Sequence, residues 1–241
     1  MKLKTLLTFF ILITAAGCEK ELPLNPDNVP IEAFIKDNYM DDARQLYLRE
    51  ILEDPNHPNY NEAVLDTNEI NKILGIFQLV YNLKSPVRDT VYDIYKIHAL
   101  PCYGLQSIGL KVDASAPGII NLVNGQIPTG NTALDNILIK YEFDSVRTAY
   151  SYPDFPWLSI YTKISYNLKP LIKAIEEVPS VILAENNGGF FDGNDINLER
   201  NSNKAIISFS IGRGDCMAGC IYRRYWIFHI ENNRVAYIKT K

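Results

Sequence analysis

The densest group of reactive side chains is Gly214-Asp215-Cys216-Met217-Ala218-Gly219-Cys220, with two cysteines four positions apart. A catalytic thiol pair places two residues between its cysteines at a helix start, where the dipole lowers a thiol pKa. Here three residues intervene and the flanks are rich in β-formers, so the spacing predicts a tight turn closed by a disulfide. Cys102 ends the run His98-Ala-Leu-Pro-Cys102. Cys102, Cys216 and Cys220 allow three pairings, at most one of which forms, and sequence does not choose among them. Three thiolates with the His98 imidazole would also make a structural zinc set. The spacings are atypical of such sites, and thiols in an oxidising compartment tend to pair. No metal site and no cofactor are therefore predicted.

Other motifs read more plainly. Arg213-Gly214-Asp215 spells the tripeptide that integrins recognise, but at a strand end it reads as turn chemistry. Asp192-Gly-Asn194-Asp195 offers oxygen ligands, yet Ile196 breaks the alternation a calcium loop needs, so a solvated turn is expected. The histidines are His57, His98 and His229. There is no Gly-x-Ser-x-Gly elbow, no His-Glu-x-x-His and no phosphate-cradling glycine loop with lysine. Asp41-Asp42 and Glu176-Glu177 are adjacent acids on helices, and neighbours there diverge by about 100°. They read as solvated faces. Tyr150 to Tyr161 (YSYPDFPWLSIY) is an aromatic run in which Tyr152, Phe155 and Trp157 are binding candidates. Exposed, they would stack on a sugar or a protein partner; buried, they pack a strand. An enzyme site would have to be assembled from distant residues, with His98, Cys102 and Asp215 as its candidates.

These residues need a scaffold. With 47% hydrophobic and 22% charged residues, the chain fits a packed globular protein. Asp41 to Glu53 and Asn68 to Leu83 carry apolar stripes at helical spacing, giving a helical part over 31–85. Residues 86–241 read as α+β. Gln106–Val112, Phe143–Tyr150, Leu158–Tyr166 and Ser180–Glu185 read as strands. Helices capped at Asn131 and starting at Leu168 lie between them, and Leu134, Leu138 and Tyr141 match Leu171, Ile175 and Val178 at a fixed offset. This is the order β-α-β-β-α-β, a ferredoxin-like core over about 105–187. A polar loop over 185–203 leads to C-terminal strands within 204–241. They form an antiparallel meander whose Asn232-Asn233 suits a hairpin turn with positive φ.

The N-terminus sets the compartment. Lys2 and Lys4 precede the uncharged run Leu6–Ala16, and Ala15-Ala16-Gly17 leads into Cys18. The segment resembles bacterial lipoprotein signals, in which cleavage before the cysteine accompanies lipidation of its thiol. That resemblance implies a signal peptide over 1–17, a lipidated (palmitate-bearing) Cys18, and a tether over 18–30 with prolines at 23, 26 and 30. It also implies export, with anchoring at the outer membrane or cell surface. Ala15 stands where the family usually has leucine. The apolar run is too short to span about 30 Å of hydrocarbon. Without residues 1–17, which carry two lysines and no acid, the formal charge falls from −4 to −6. An acidic chain has no general attraction to phosphate backbones, so no nucleic-acid partner is expected.

Two further resemblances bear on function. Residues 131–187, above all Leu168-Lys-Pro-Leu-Ile-Lys-Ala-Ile-Glu-Glu-Val-Pro-Ser-Val-Ile-Leu-Ala-Glu185, resemble the propeptides of subtilisin-like proteases, which implies protease inhibition through a C-terminal tail. No protease domain follows. The run from Gly214 to Trp226 resembles a segment of uncharacterised secreted proteins. The reading that results is a membrane-anchored, non-enzymatic binding or structural module of the cell envelope, with an unknown protein or an envelope glycan as partner. A propeptide-like inhibitor and an envelope enzyme are the alternatives.

Overall fold

The computed structural model describes residues 26, 29–150, 156–189 and 192–240. It is an α+β protein with two antiparallel four-stranded sheets. The chain opens with α1 (Ala33–Glu53) and α2 (Thr67–Tyr81). Asp66 caps α2, its side chain accepting from the Asn68 amide. A short α3 (Pro86–Asp89) runs into a π-helical turn over Thr90–Ile94. An extended segment over residues 96–106 follows and carries His98 and Cys102.

The central unit contains β1 (Ser107–Val112), α4 (Ile119–Val123), α5 (Thr132–Lys140), β2 (Phe143–Tyr150), β3 (Trp157–Thr162), α6 (Leu168–Glu176) and β4 (Val181–Asn186). Its strands lie in the order β2-β3-β1-β4, and β1 pairs antiparallel with both β3 and β4. Asn131 and Asn167 cap α5 and α6, with side-chain oxygens accepting from the amides of Leu134 and Lys169. Pro170 sits in the first turn of α6, where the missing N–H costs no helical bond. Leu134, Leu138, Leu171 and Ile175 are buried against Ile108, Leu110, Leu158 and Ile160 in one core. The helix α4 leaves no mark in the sequence, because five residues are too few for a periodic signal.

The last four strands are β5 (Asp195–Arg200), β6 (Lys204–Arg213), β7 (Tyr222–Glu231) and β8 (Arg234–Thr240), paired in sequence order as a meander. Residues 195–200 were expected in a polar loop. Ile196 and Leu198 nevertheless alternate with polar residues and turn inward, making β5 a strand. Asn232 and Asn233 take φ of 52° and 58° in the β7–β8 turn, as the turn chemistry predicts. The inner face of this sheet (Ile207, Phe209, Phe228 and Ile230) packs on α1, α2 and Tyr92 in a second core. The first and last thirds of the chain therefore share one core, and the central unit builds another.

Candidate functional site

A cleft of about 680 Å³ opens where α1 of one core meets the start of β1 and residues 187–189 of the other. Junctions of this kind are common ligand sites. Its α1 wall is a polar stripe: Asn38, Asp42 and Gln45 line it at i, i+4 and i+7, and Arg49 continues the row at i+11. That spacing puts the four on one helix face.

Each lower member of the stripe grips the irregular segment 98–103. Asp42, only 5% exposed, has Oδ2 2.8 Å from His98 Nδ1, while its Oδ1 accepts from the Ala99 amide. Gln45 Nε2 donates to the Tyr103 carbonyl at 2.6 Å. Arg49 Nη2 donates to the Leu100 carbonyl at 2.5 Å and to Asp195 Oδ1 at 2.9 Å, and Nη1 donates to the Ile196 carbonyl at 2.9 Å. The Leu100 amide donates to the same Asp195 oxygen. An extended segment with no ladder partners needs such side-chain bonds to satisfy its backbone.

Asp42 thus overturns the expectation of a solvated pair at Asp41-Asp42. Asp41 is exposed and ion-paired with Arg44, whereas Asp42 turns inward. Adjacent helix positions point in different directions, and here one of them meets a segment 56 residues away.

His98 is half exposed along the cleft, with its ring stacked on Tyr39 at 5.0 Å. The Asp42 hydrogen bond raises the His98 pKa from its ordinary value; partial burial opposes this, and the carboxylate charge adds to it. Burial, with Asp42 second, pushes the Tyr39 phenol well up. With Nδ1 held by Asp42, Nε2 has no hydrogen-bond partner among the described residues. Gln45 is 6% exposed, and its carbonyl Oε1 is buried with no partner among the described residues. A buried acceptor left unpaired costs about 1–3 kcal/mol, so this oxygen at the cleft wall asks for a donor.

The remaining sequence candidates fall elsewhere. Cys216 and Cys220 form the disulfide, and Cys102 is free and half-buried with its sulfur 3.7 Å from Arg49 Nη2. No group of three or more metal-binding side chains occurs among the described residues. His98 pairs with Asp42, while Cys102 faces Arg49 and Asp215 immediately precedes the disulfide-closed turn. Asp192 accepts from the amides of Cys220 and Gly193 and from Arg223, which together hold its carboxyl below its usual range. Asp195 is engaged by Arg49. Trp157 is half-buried in β3; Tyr152, Phe155 and Cys18 lie outside the described residues. After β4, Gly189 donates its amide to the Pro101 carbonyl, tying that segment to the cleft rim. None of the described helices is long and apolar enough to cross a membrane.

No family model, curated protein or solved structure matches this chain.

Proposed function

We propose that this chain is an exported, lipid-anchored protein of the cell envelope that binds a hydroxyl-rich envelope glycan in the cleft, without chemical turnover. The polar wall of the cleft carries the reading: Gln45, whose carbonyl Oε1 has no partner among the described residues, stands in it with Asn38 and Asp42. Asn38, Gln106 and Ser107 line the same cleft and can give and take hydrogen bonds as sugar hydroxyls do. A volume of about 680 Å³ suits one or two sugar rings. The anchor rests on Lys2, Lys4, Leu6–Ala16 and Cys18. The strand order β2-β3-β1-β4 with α5 and α6 between strands supports a ferredoxin-like central unit.

Titration calorimetry with soluble envelope-glycan fragments tests the cleft. Binding is expected to weaken about tenfold or more in Gln45→Leu, with folding retained. No binding by any fragment, or equal binding by Gln45→Leu, would refute the site. Cys18→Ser should abolish incorporation of labelled fatty acid and release the protein from the membrane fraction.

One observation favours a second reading. A histidine oriented by a buried carboxylate and facing a cleft is the arrangement of a general base that activates water. Under that reading His98→Ala abolishes a hydrolysis that the parent performs on an ester or glycoside panel; a panel without turnover removes it.

A further inference from the structure

The second sheet carries a group of side chains that the cleft does not use. On β6 and β7, Arg213 stands opposite Tyr222, Ile211 opposite Arg224, and Phe209 opposite Trp226. These six residues share one face. Over Phe209 and Trp226 that face is core, but beyond them it emerges from cover: Arg213 and Arg224 are exposed and Tyr222 is 73% exposed. Arg213 and Arg224 are diagonal cross-strand neighbours, with Cβ atoms about 7 Å apart by sheet geometry. Arg224 lies over the Trp226 ring at 5.0 Å, and Tyr95 closes the side at 5.5 Å from that ring. Together they line a recess of about 220 Å³.

The two guanidinium groups are among four, with Arg147 and Arg234, that have no carboxylate within 4.0 Å among the described residues. Arg44, Arg49, Arg88, Arg200 and Arg223 each have a carboxylate partner. Arg213 and Arg224 have none within 4.0 Å among the described residues, although acids outnumber bases in the chain. Like charges on neighbouring cross-strand positions repel, and an anion between them would relieve that repulsion. The disulfide turn Cys216–Cys220 closes the same hairpin, and the β6–β7 register sets the positions of both arginines.

We infer that Arg213 and Arg224, backed by Trp226 and walled by Tyr95 and Tyr222, form a site for an oxyanion, a carboxylate or phosphate, carried on a ligand of single-ring size. Guanidinium forks match the paired oxygens of both groups. A recess of about 220 Å³ accepts one sugar ring and little more, and the exposed Tyr222 ring offers it a flat face. The site is independent of the cleft and does not rest on the reading of that cleft.

The test is a titration of Trp226 fluorescence in a Trp157→Phe background, confirmed by calorimetry. The probes are D-glucuronate, glucose 6-phosphate and D-glucose, with phosphatidylglycerol and phosphatidylcholine vesicles as a separate arm. Glucuronate or glucose 6-phosphate should bind and glucose should not. Binding should weaken about tenfold in each of Arg213→Ala and Arg224→Ala, and with rising salt. Arg224→Lys, which keeps the charge but loses the fork, should also weaken it. Arginine-dependent binding of phosphatidylglycerol vesicles alone would place the oxyanion in a lipid headgroup and keep the site. Absence of binding in both arms overturns the inference, as would equal binding of glucose. So would lysine or alanine variants that bind like the parent.

Discussion

Replacing Arg49 with alanine should cost this protein about 3 kcal/mol of folding stability. The side chains of Arg49 and Asp195 are only 12% and 16% exposed, and Arg49 joins α1 to Leu100, Ile196 and Asp195 at once. Removing one partner of a buried ion pair costs about 3–5 kcal/mol, because the other charge is left without compensation. Here the lower end applies: Asp195 Oδ1 keeps the Leu100 amide as a donor, and some water reaches the carboxylate. For a chain of this length the melting temperature should fall by about 6–12 °C. The assay is urea unfolding followed by far-ultraviolet circular dichroism, on protein lacking the first 18 residues. Arg49→Ala, Asp195→Ala and the double variant complete a cycle. The double variant should recover at least about 1 kcal/mol relative to additivity. A loss below about 1 kcal/mol for Arg49→Ala, or strict additivity in the cycle, would refute the view that this pair clamps the segment behind the cleft.

Three other predictions concern separate features. The Asp42 bond raises the His98 pKa in the folded state, so the stabilisation is complete below the unfolded value of about 6.5 and is lost as pH rises through the higher folded pKa. Asp42→Asn should return the proton-NMR titration of His98 towards that unfolded value, and an unchanged midpoint would show that Asp42 is not its cause. Asn232 sits at φ 52°, so Asn232→Val should destabilise the hairpin by about 1–2 kcal/mol while Asn232→Gly is tolerated; equal unfolding midpoints for the two would contradict this. Replacing Cys216 and Cys220 by serine opens a five-residue loop and should cost about 2 kcal/mol by chain entropy, read as the difference between oxidised and reduced parent in denaturant.

What the sequence discloses is local. Asn131 and the stripe of Leu134 and Leu138 announce α5, and Leu171 and Ile175 announce α6, because capping and periodicity act within one helix. The Asn232-Asn233 turn is equally self-contained. The beginning of α1 is harder: the apolar stripe is legible from Ala43 onward, but Ile35 and Tyr39 already belong to it. In β5 the alternation of Ile196 and Leu198 is present yet embedded in nineteen polar-rich positions from 185 to 203, so composition outweighs period. The cleft was legible only in part. The row Asn38, Asp42, Gln45, Arg49 has one-face spacing in the sequence, and four polar residues on a helix read as a wet surface. Only the distant segment 98–103, which no local pattern connects to α1, turns that row into a wall.

The shared core of α1, α2 and the β5–β8 meander sets the order in which the chain can mature. Ile35, Tyr39 and Phe77 rest against a sheet whose strands Phe209 and Phe228 belong to the last 40 or so residues. Contacts of such long sequence separation form late, because loop closure precedes any gain from burial. As the polypeptide leaves the ribosome, the two opening helices have only each other to settle on until the final strands arrive. The central unit between β1 and β4 has no such dependence in its own core. If the chain is exported as proposed above, this delay keeps its leading third pliable until the end has been made.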